Sequence, residues 1–301
     1  MKKSLYRLII APLVSAFVII FIAYYSVGVV ERSSARRVAD MRIEQIISRI
    51  DENNKDFEAF KEQLRSEYES RAKSFSLIIS QTPTALTEDM ATEELRLAIG
   101  ADEIALTNST GHITFSTSES NDNKEINEQF LQGLKIKNFS GTLVTKSDDG
   151  YIFEVAVSRR DGNGLLIFKF INTSLNDMLN YSGIASVTSD YPMMQNGITA
   201  IVDIPTNTYL SHTTSKLNGT LCTIPPEKFI NKEKDSFSYK VYGNSSLVCF
   251  KTYEDNIILG ILPKSEIYQK RNSITGWLSL MAAIVIISML LSIRQYKILN
   301  K

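Results

Sequence analysis

The sequence predicts an α+β protein in which a long N-terminal stalk helix precedes two antiparallel sheets, with a transmembrane helix at either end. Three observations carry this: two charge-free apolar stretches near the termini, a long amphipathic run without proline or glycine, and two successive series of a hairpin followed by three strands. Runs of strands joined by turns, with helices before and between them, build an α+β layer arrangement.

Between Arg7 and Glu31 lie 23 residues without a formal charge, and between Arg271 and Arg294 another 22. A bilayer core of ~30 Å takes roughly 20 apolar helical residues, so each stretch can span one. Lys2, Lys3 and Arg7 form the basic start of a secretory signal. The apolar run is longer than the roughly 7 to 15 residues of a signal core and no small-residue cleavage site closes it, so it reads as an uncleaved anchor. Two buried core helices are the alternative, but charge-free runs of this length are rare in soluble cores. Basic residues flank both sides of each span, so charge bias does not decide which side holds the long loop between them.

From Glu31 to Ser80 apolar residues recur at helical spacing, at Ile43, Ile46, Ile47, Ile50, Phe57, Phe60, Leu64, Tyr68, Ala72, Phe75 and Ile79, with charges on the other faces. That stripe is what a packed helix needs. Unbroken, the helix would be roughly 75 Å long at 1.5 Å per residue. Pro83 ends it, and Thr92 to Ala98 gives a short second helix.

"EIALT", the turn "NSTG" and "HITFSTS" then form a hairpin, in which Asn108 and Gly111 are residue types that tolerate positive φ. Lys124 to Leu134 reads as a short polar helix. "GTLVTKS", "YIFEVAVSRR" and "LLIFKFIN", turned by "DDG" and "DGNG", are three more strands, which makes a five-stranded sheet with helices on one face. The order is partly repeated. "ITAIVDI" and "TYLSHTT" make a hairpin, "PPEKFINKE" is a short helix candidate, and "SFSYKVYG", "SSLVCFKTYE" and "NIILGILP" complete a second, smaller sheet. "KSEIYQKRNS" leads into the second span.

A search for chemistry returns little. The two histidines, His112 and His212, each lie in a hairpin, and there is no H-E-x-x-H, C-x-x-C or calcium-type loop, so no metal is expected. No phosphate loop or nucleophile elbow occurs. The basic residues of "SARR" and of the tail can touch lipid head groups but lack the clustering that nucleic-acid binding requires. No enzymatic activity, cofactor or nucleic-acid partner is expected. Cys222 and Cys249 can form a disulfide if they lie outside the cytoplasm, or stay as buried free thiols. Six Asn-x-Ser/Thr sequons follow from a composition rich in those residues.

The order of elements resembles the double Cache sensor domain of bacterial transmembrane signalling receptors, with its uncleaved first span, stalk helix, membrane-distal and membrane-proximal PAS-like sheets and second span. "DEIALTNSTGHITFSTS" looks like the first hairpin of a distal module, "AIVDIPTNTYLSHTTSKLNGT" like its proximal counterpart, and "NIILGILPKSEIY" like the final strand and exit. The resemblance covers roughly residues 31 to 293 and rests on order and hairpins. It divides the chain into a cytoplasmic N-terminus (1–7), a first span (8–30), a stalk (31–82), a distal module (83–189), a proximal module (190–271), a second span (272–293) and a cytoplasmic tail (294–301). It also places the loop outside the cytoplasm of a two-pass inner or plasma membrane protein.

What the resemblance implies is a receptor that binds a small molecule, forms a homodimer and signals to a cytoplasmic output. After Arg294 only "RQYKILNK" remains, too short for a domain, so the output is expected on a separate protein or lost from this chain. Amino-acid-binding members carry Tyr, Arg and Trp on the helix before the third strand and an acid near the last distal strand. Here that helix lacks the set and Lys169 stands near the acid's place. Lys169, with Tyr151 and Arg159 on the preceding strand, would suit an anionic ligand if all three point into the concave face. Alternation places Tyr151, Phe153, Val155 and Val157 on one face and Ile152, Glu154, Ala156 and Ser158 on the other. The alternative to a receptor is a membrane-anchored interaction or assembly protein that uses the same fold without a small ligand.

Overall fold

The first span and the stalk are a single helix, α1 (Lys2–Gln81). In the computed structural model, residues 2–81, 89–118, 124–160, 164–230 and 232–299 are described. The chemistry of α1 changes from uncharged to charged at Glu31, but no residue there interrupts the backbone, so the helix passes from one to the other without a joint. Its buried residues between Ala35 and Ile79 recur every three or four positions, with one longer step, as the amphipathic stripe requires. Pro83, the expected stop, most of the "DGNG" turn and the last two residues of the tail lie outside the described residues.

Residues 51–183 form one compact unit. After α1 come α2 (Asp89–Ile99), β1 (Glu103–Thr107), β2 (Ile113–Ser116), α3 (Glu128–Leu131), β3 (Ser140–Ser147), β4 (Gly150–Ser158), β5 (Leu165–Asn172) and α4 (Ser174–Ser182). The five strands make one antiparallel sheet in the order β2-β1-β5-β4-β3. On one face Phe57, Leu64, Tyr68 and Ala72 of α1 pack on Phe153, Val155, Phe168 and Phe170. On the other, Ala105, Ala156 and Leu165 meet Ile126 and Phe130 at α3. Both faces are therefore covered, where the sequence suggested helices on one, because β4 and β5 carry apolar residues at both parities. In the β1–β2 turn only Gly111 takes positive φ, at 91°. Asn108 acts through its side chain, its Oδ1 accepting from the N–H groups of Thr110 and His112 at 3.0 Å each.

Residues 1–50 and 184–301 form the other unit. Its elements are α5 (Ile184–Val187), β6 (Ile198–Asp203), β7 (Thr208–His212), β8 (Lys234–Val241), β9 (Asn244–Tyr253), β10 (Asn256–Pro263), α6 (Lys264–Ile267) and α7 (Gln269–Leu299). The sheet order, β7-β6-β10-β9-β8, repeats that of the first, again with five strands, so the second sheet is not the smaller one. Ala35, Ala39, Ile43 and Ile46 of α1 cover Ile201, Ile258 and Leu262 on one face. Tyr209, Phe229, Val248 and Phe250 build a core on the other. The helix candidate before β8 shrinks to a single 3-10 turn, Pro226–Lys228. Both α1 and α7 contain a segment long and apolar enough to cross a membrane.

Beside these segments, the Arg271 guanidinium lies 4.1 Å from the ring centroids of both Tyr24 and Tyr268. The Arg271 N–H donates to Glu31 Oε1 at 3.2 Å. Gly28 makes room for this arrangement: a Cβ there would stand 3.2 Å from Arg271 Cδ. A cation over aromatic faces contributes about 0.5 to 2 kcal/mol, more where water is excluded.

Cys222 and Cys249 do not form the disulfide: both thiols are free and buried. They sit in the cores on opposite faces of the second sheet, Cys249 under α1 and Cys222 beside Tyr209. Burial, with Asp40 nearby, pushes the Cys249 thiol up to about 12. Burial also raises that of Cys222. The thiolate is the reactive form, so iodoacetamide at mildly alkaline pH is expected to leave both thiols of the folded chain unmodified and to modify both in denaturant. Mass spectrometry counts the adducts, and ready labelling of the native chain would contradict the packing.

His212 is 4% exposed, at the end of β7. Its Nδ1 accepts from the Thr214 N–H at 2.8 Å, so the neutral ring carries its proton on Nε2, which faces the Tyr242 hydroxyl at 3.5 Å. The Tyr209 ring stands edge-on to it, 5.0 Å between centroids. Burial lowers the His212 pKa below its ordinary value. The unfolded chain therefore takes up a proton first as pH falls below about 6.5, and stability present above that value is lost progressively down to the lower folded pKa. Urea midpoints of the wild type are expected to fall between pH 7 and 5. Those of His212→Asn, which keeps an acceptor for Thr214, should fall less; parallel curves would count against the assignment.

Candidate functional site

Register across the first sheet brings three charged side chains into one row. Glu103 of β1 pairs with Lys169 of β5, and Lys169 pairs with Glu154 of β4. Residues directly opposite in an antiparallel ladder share a face, so all three project away from α1. Two positions further along the same face, Ala105 and Ala156 flank Ile167. The small alanine at Ala105 leaves room above this part of the sheet.

A cavity of 130 Å³ occupies that room, lined by Glu103, Ala105, Glu154, Ile167 and Lys169 from the strands and by Ile113, Phe130 and residues 124–127 from above. The covering segment is held to the β1–β2 hairpin. The Ile113 N–H donates to the Lys124 carbonyl at 2.8 Å and the Ile126 N–H to that of Gly111 at 3.1 Å. Asn127 then starts α3, its Oδ1 accepting from the Gln129 N–H at 3.1 Å, the usual work of a helix-capping side chain.

Glu103 is buried, and its Oε1 accepts from the Ser116 hydroxyl at 2.7 Å. Lys169 Nζ stands 3.9 Å from Glu103 Oε2. Glu154 is half-buried. Burial raises its carboxyl above the usual range; Lys169 pulls it back and Glu103 pushes it further up. The outer edge of the cavity adds Lys124 and Glu125.

Of the three residues proposed from sequence, Lys169 alone lines the cavity. Tyr151 lies on the opposite face, edge-on to Phe57 of α1 with centroids 5.7 Å apart. Arg159, past the end of β4, donates from Nη1 to the Thr107 carbonyl at 3.2 Å. The structure does not bring the three together, because Tyr151 and Lys169 fall on opposite parities of paired strands. The residues that do accompany Lys169 are Glu103 and Glu154. Each was visible as a charge inside an otherwise apolar strand, a signal that becomes a site only once β1, β5 and β4 are known to be neighbours.

No family model matches the chain and no curated protein matches it. Among solved structures, the sensory domain of the Campylobacter jejuni chemoreceptor Tlp3 is 18% identical, with 74% of this chain and 95% of that one covered and a TM-score of 0.32. The ligand-binding domain of Mlp24 with asparagine is 16% identical over 77% of this chain and 99% of that one, with a TM-score of 0.28. The periplasmic domain of RsbU from Chlamydia trachomatis is 14% identical over 76% of this chain and 96% of that one, with a TM-score of 0.33. In its own architecture, a long N-terminal helix with two antiparallel sheets of one shared strand order and an apolar C-terminal helix, the chain is an α+β protein.

Proposed function

We propose that this chain is a membrane-bound sensor whose first sheet binds a small molecule outside the cytoplasm. The observation that carries the reading is the cavity floored by Glu103, Lys169 and Glu154. The space is concave and sets converging charged groups beside apolar side chains, which suits a small molecule that carries both. The two segments able to cross a membrane, in α1 and α7, support anchorage on either side of the folded part. Lys169 faces the ligand in this reading, while Tyr151 and Arg159 hold the sheet around it.

Signalling follows from differential binding. A ligand that fits one arrangement of the covering segment better than another shifts the population toward it. The shift reaches the membrane as a small displacement of α1 relative to α7, joined at Arg271, and small helix movements of this kind are an established means of switching. The active form is a homodimer with both termini in the cytoplasm, acting on a separate signalling protein there.

A thermal-shift screen of the full chain in detergent against a metabolite library tests the proposal. A ligand at 100 times its dissociation constant stabilises the folded state by roughly 2.7 kcal/mol. A shift altered by Glu154→Gln, by Lys169→Met or by both is the expected result. A shift indifferent to both moves the site elsewhere, and a broad library without any shift removes the sensor reading.

A further inference from the structure

The charges across the cavity floor run acid, base, acid. One lysine balances one carboxylate, and Glu103 is the better served of the two. It accepts from the Ser116 hydroxyl and has Lys169 Nζ 3.9 Å from Oε2. Glu154 opens onto the same cavity, and no hydrogen bond to its carboxylate is made by any described residue. Lys124 and Glu125 stand at the outer edge, the latter with its Oε1 3.9 Å from His112 Nε2. The cavity floor thus carries two acids and one base, and the Glu154 carboxylate faces the cavity.

We propose that the cavity takes a small organic monocation, an alkylammonium or amidinium, with its N–H groups on Glu154 and its hydrocarbon against Ala105, Ile113, Ile167 and Phe130. The proposal rests on the sensor reading and specifies its ligand. It reverses the anionic preference suggested by Lys169 in the sequence, because an anion entering beside Lys169 would meet Glu103 and Glu154 on either side of it. A buried charge is tolerated when it is paired and hydrogen-bonded, and the cation supplies both to Glu154. A metal ion fits less well: among the described residues no three His, Cys, Asp or Glu side chains are grouped to hold one. Burial raises the Glu154 carboxyl, and Lys169 offsets this only in part.

The test compares n-propylammonium chloride, methylguanidinium chloride, sodium propionate and 1-propanol at equal ionic strength, by thermal unfolding of the full chain in detergent. A saturable rise in melting temperature is expected with either cation and not with propionate or propanol. The shift should strengthen as pH rises and Glu154 ionises, vanish in Glu154→Gln, and persist in Lys169→Met, which removes a competing cation. Glu154→Gln deletes a half-buried charge and should fold; Glu154→Asp, with the carboxylate drawn back, is the second variant and should weaken the shift. A propionate shift lost in Lys169→Met would overturn the cation assignment while the sensor reading stands. The absence of a saturable shift with either cation would also overturn it, and the sensor reading then depends on the wider library alone.

Discussion

Replacing Gly164 with alanine is expected to cost the first unit about 3 to 5 kcal/mol, a large part of the roughly 5 to 15 kcal/mol by which a domain is stable. Two separate effects add. Gly164 has φ +133°, in the region that side chains other than glycine rarely occupy. A Cβ there would also collide with the Thr107 carbonyl oxygen and stand 2.6 Å from that of Asn108. These are backbone atoms of β1 and its turn, and they cannot retreat freely. The Leu165 N–H donates to Thr107 Oγ1 at 2.8 Å, and Arg159 holds the Thr107 carbonyl from the other side. Gly243 is the control, with φ +82° and nothing within 4 Å of an added Cβ, so Gly243→Ala should cost only about 1 kcal/mol. Urea denaturation of both variants decides the matter. If Gly164→Ala stays within 1 kcal/mol of its control, the close approach of β5 to β1 is wrong, and with it the alignment that sets Lys169 beside Glu103.

Local signals in the sequence were sufficient for much of this fold. β1, β5 and β10 run over the very residues read as strands, since alternation and turn residues mark both ends of each. The continuity of α1 was harder to see because composition changes at Glu31 while helix-forming capacity does not. Helix α4 was missed. Its apolar Leu175, Met178 and Leu179 have helical spacing, but nine residues following a strand offer too short a period to stand out. The site depended on information that is not local. Alternation along β4 correctly separated Tyr151 from Glu154, yet nothing near Glu103 reveals that β1 pairs with β5, more than sixty positions away. Without that pairing Lys169 looked like a lone cation suited to an anion. With it, the lysine is already occupied.

Tyr68 is where the helix holds the strands that carry the site, and Tyr68→Ala is expected to lose about 3 to 5 kcal/mol, as for other large buried aromatics. Its ring stacks on Phe170 at 4.3 Å, with planes 4° apart, and meets Phe153 edge-on at 5.1 Å. Its hydroxyl accepts from Asn172 Nδ2 at 3.0 Å. Tyr68→Phe removes only that hydrogen bond and should cost about 1 kcal/mol. The two ring partners have a further significance. Phe153 precedes Glu154 on β4, and Phe170 follows Lys169 on β5, so each strand presents a charge to the cavity and an aromatic ring to α1 at adjacent positions. A shift of either strand under a ligand must therefore move a ring that Tyr68 touches. Tyr68→Phe should keep this coupling and Tyr68→Ala abolish it. A double-mutant cycle of Tyr68→Ala with Phe170→Leu measures it as a departure from additivity, expected at about 0.5 to 1.5 kcal/mol for a stacked pair. Strict additivity of the two losses would mean that α1 and the cavity strands are stable independently, and that ligand binding has no path to the helix through these rings.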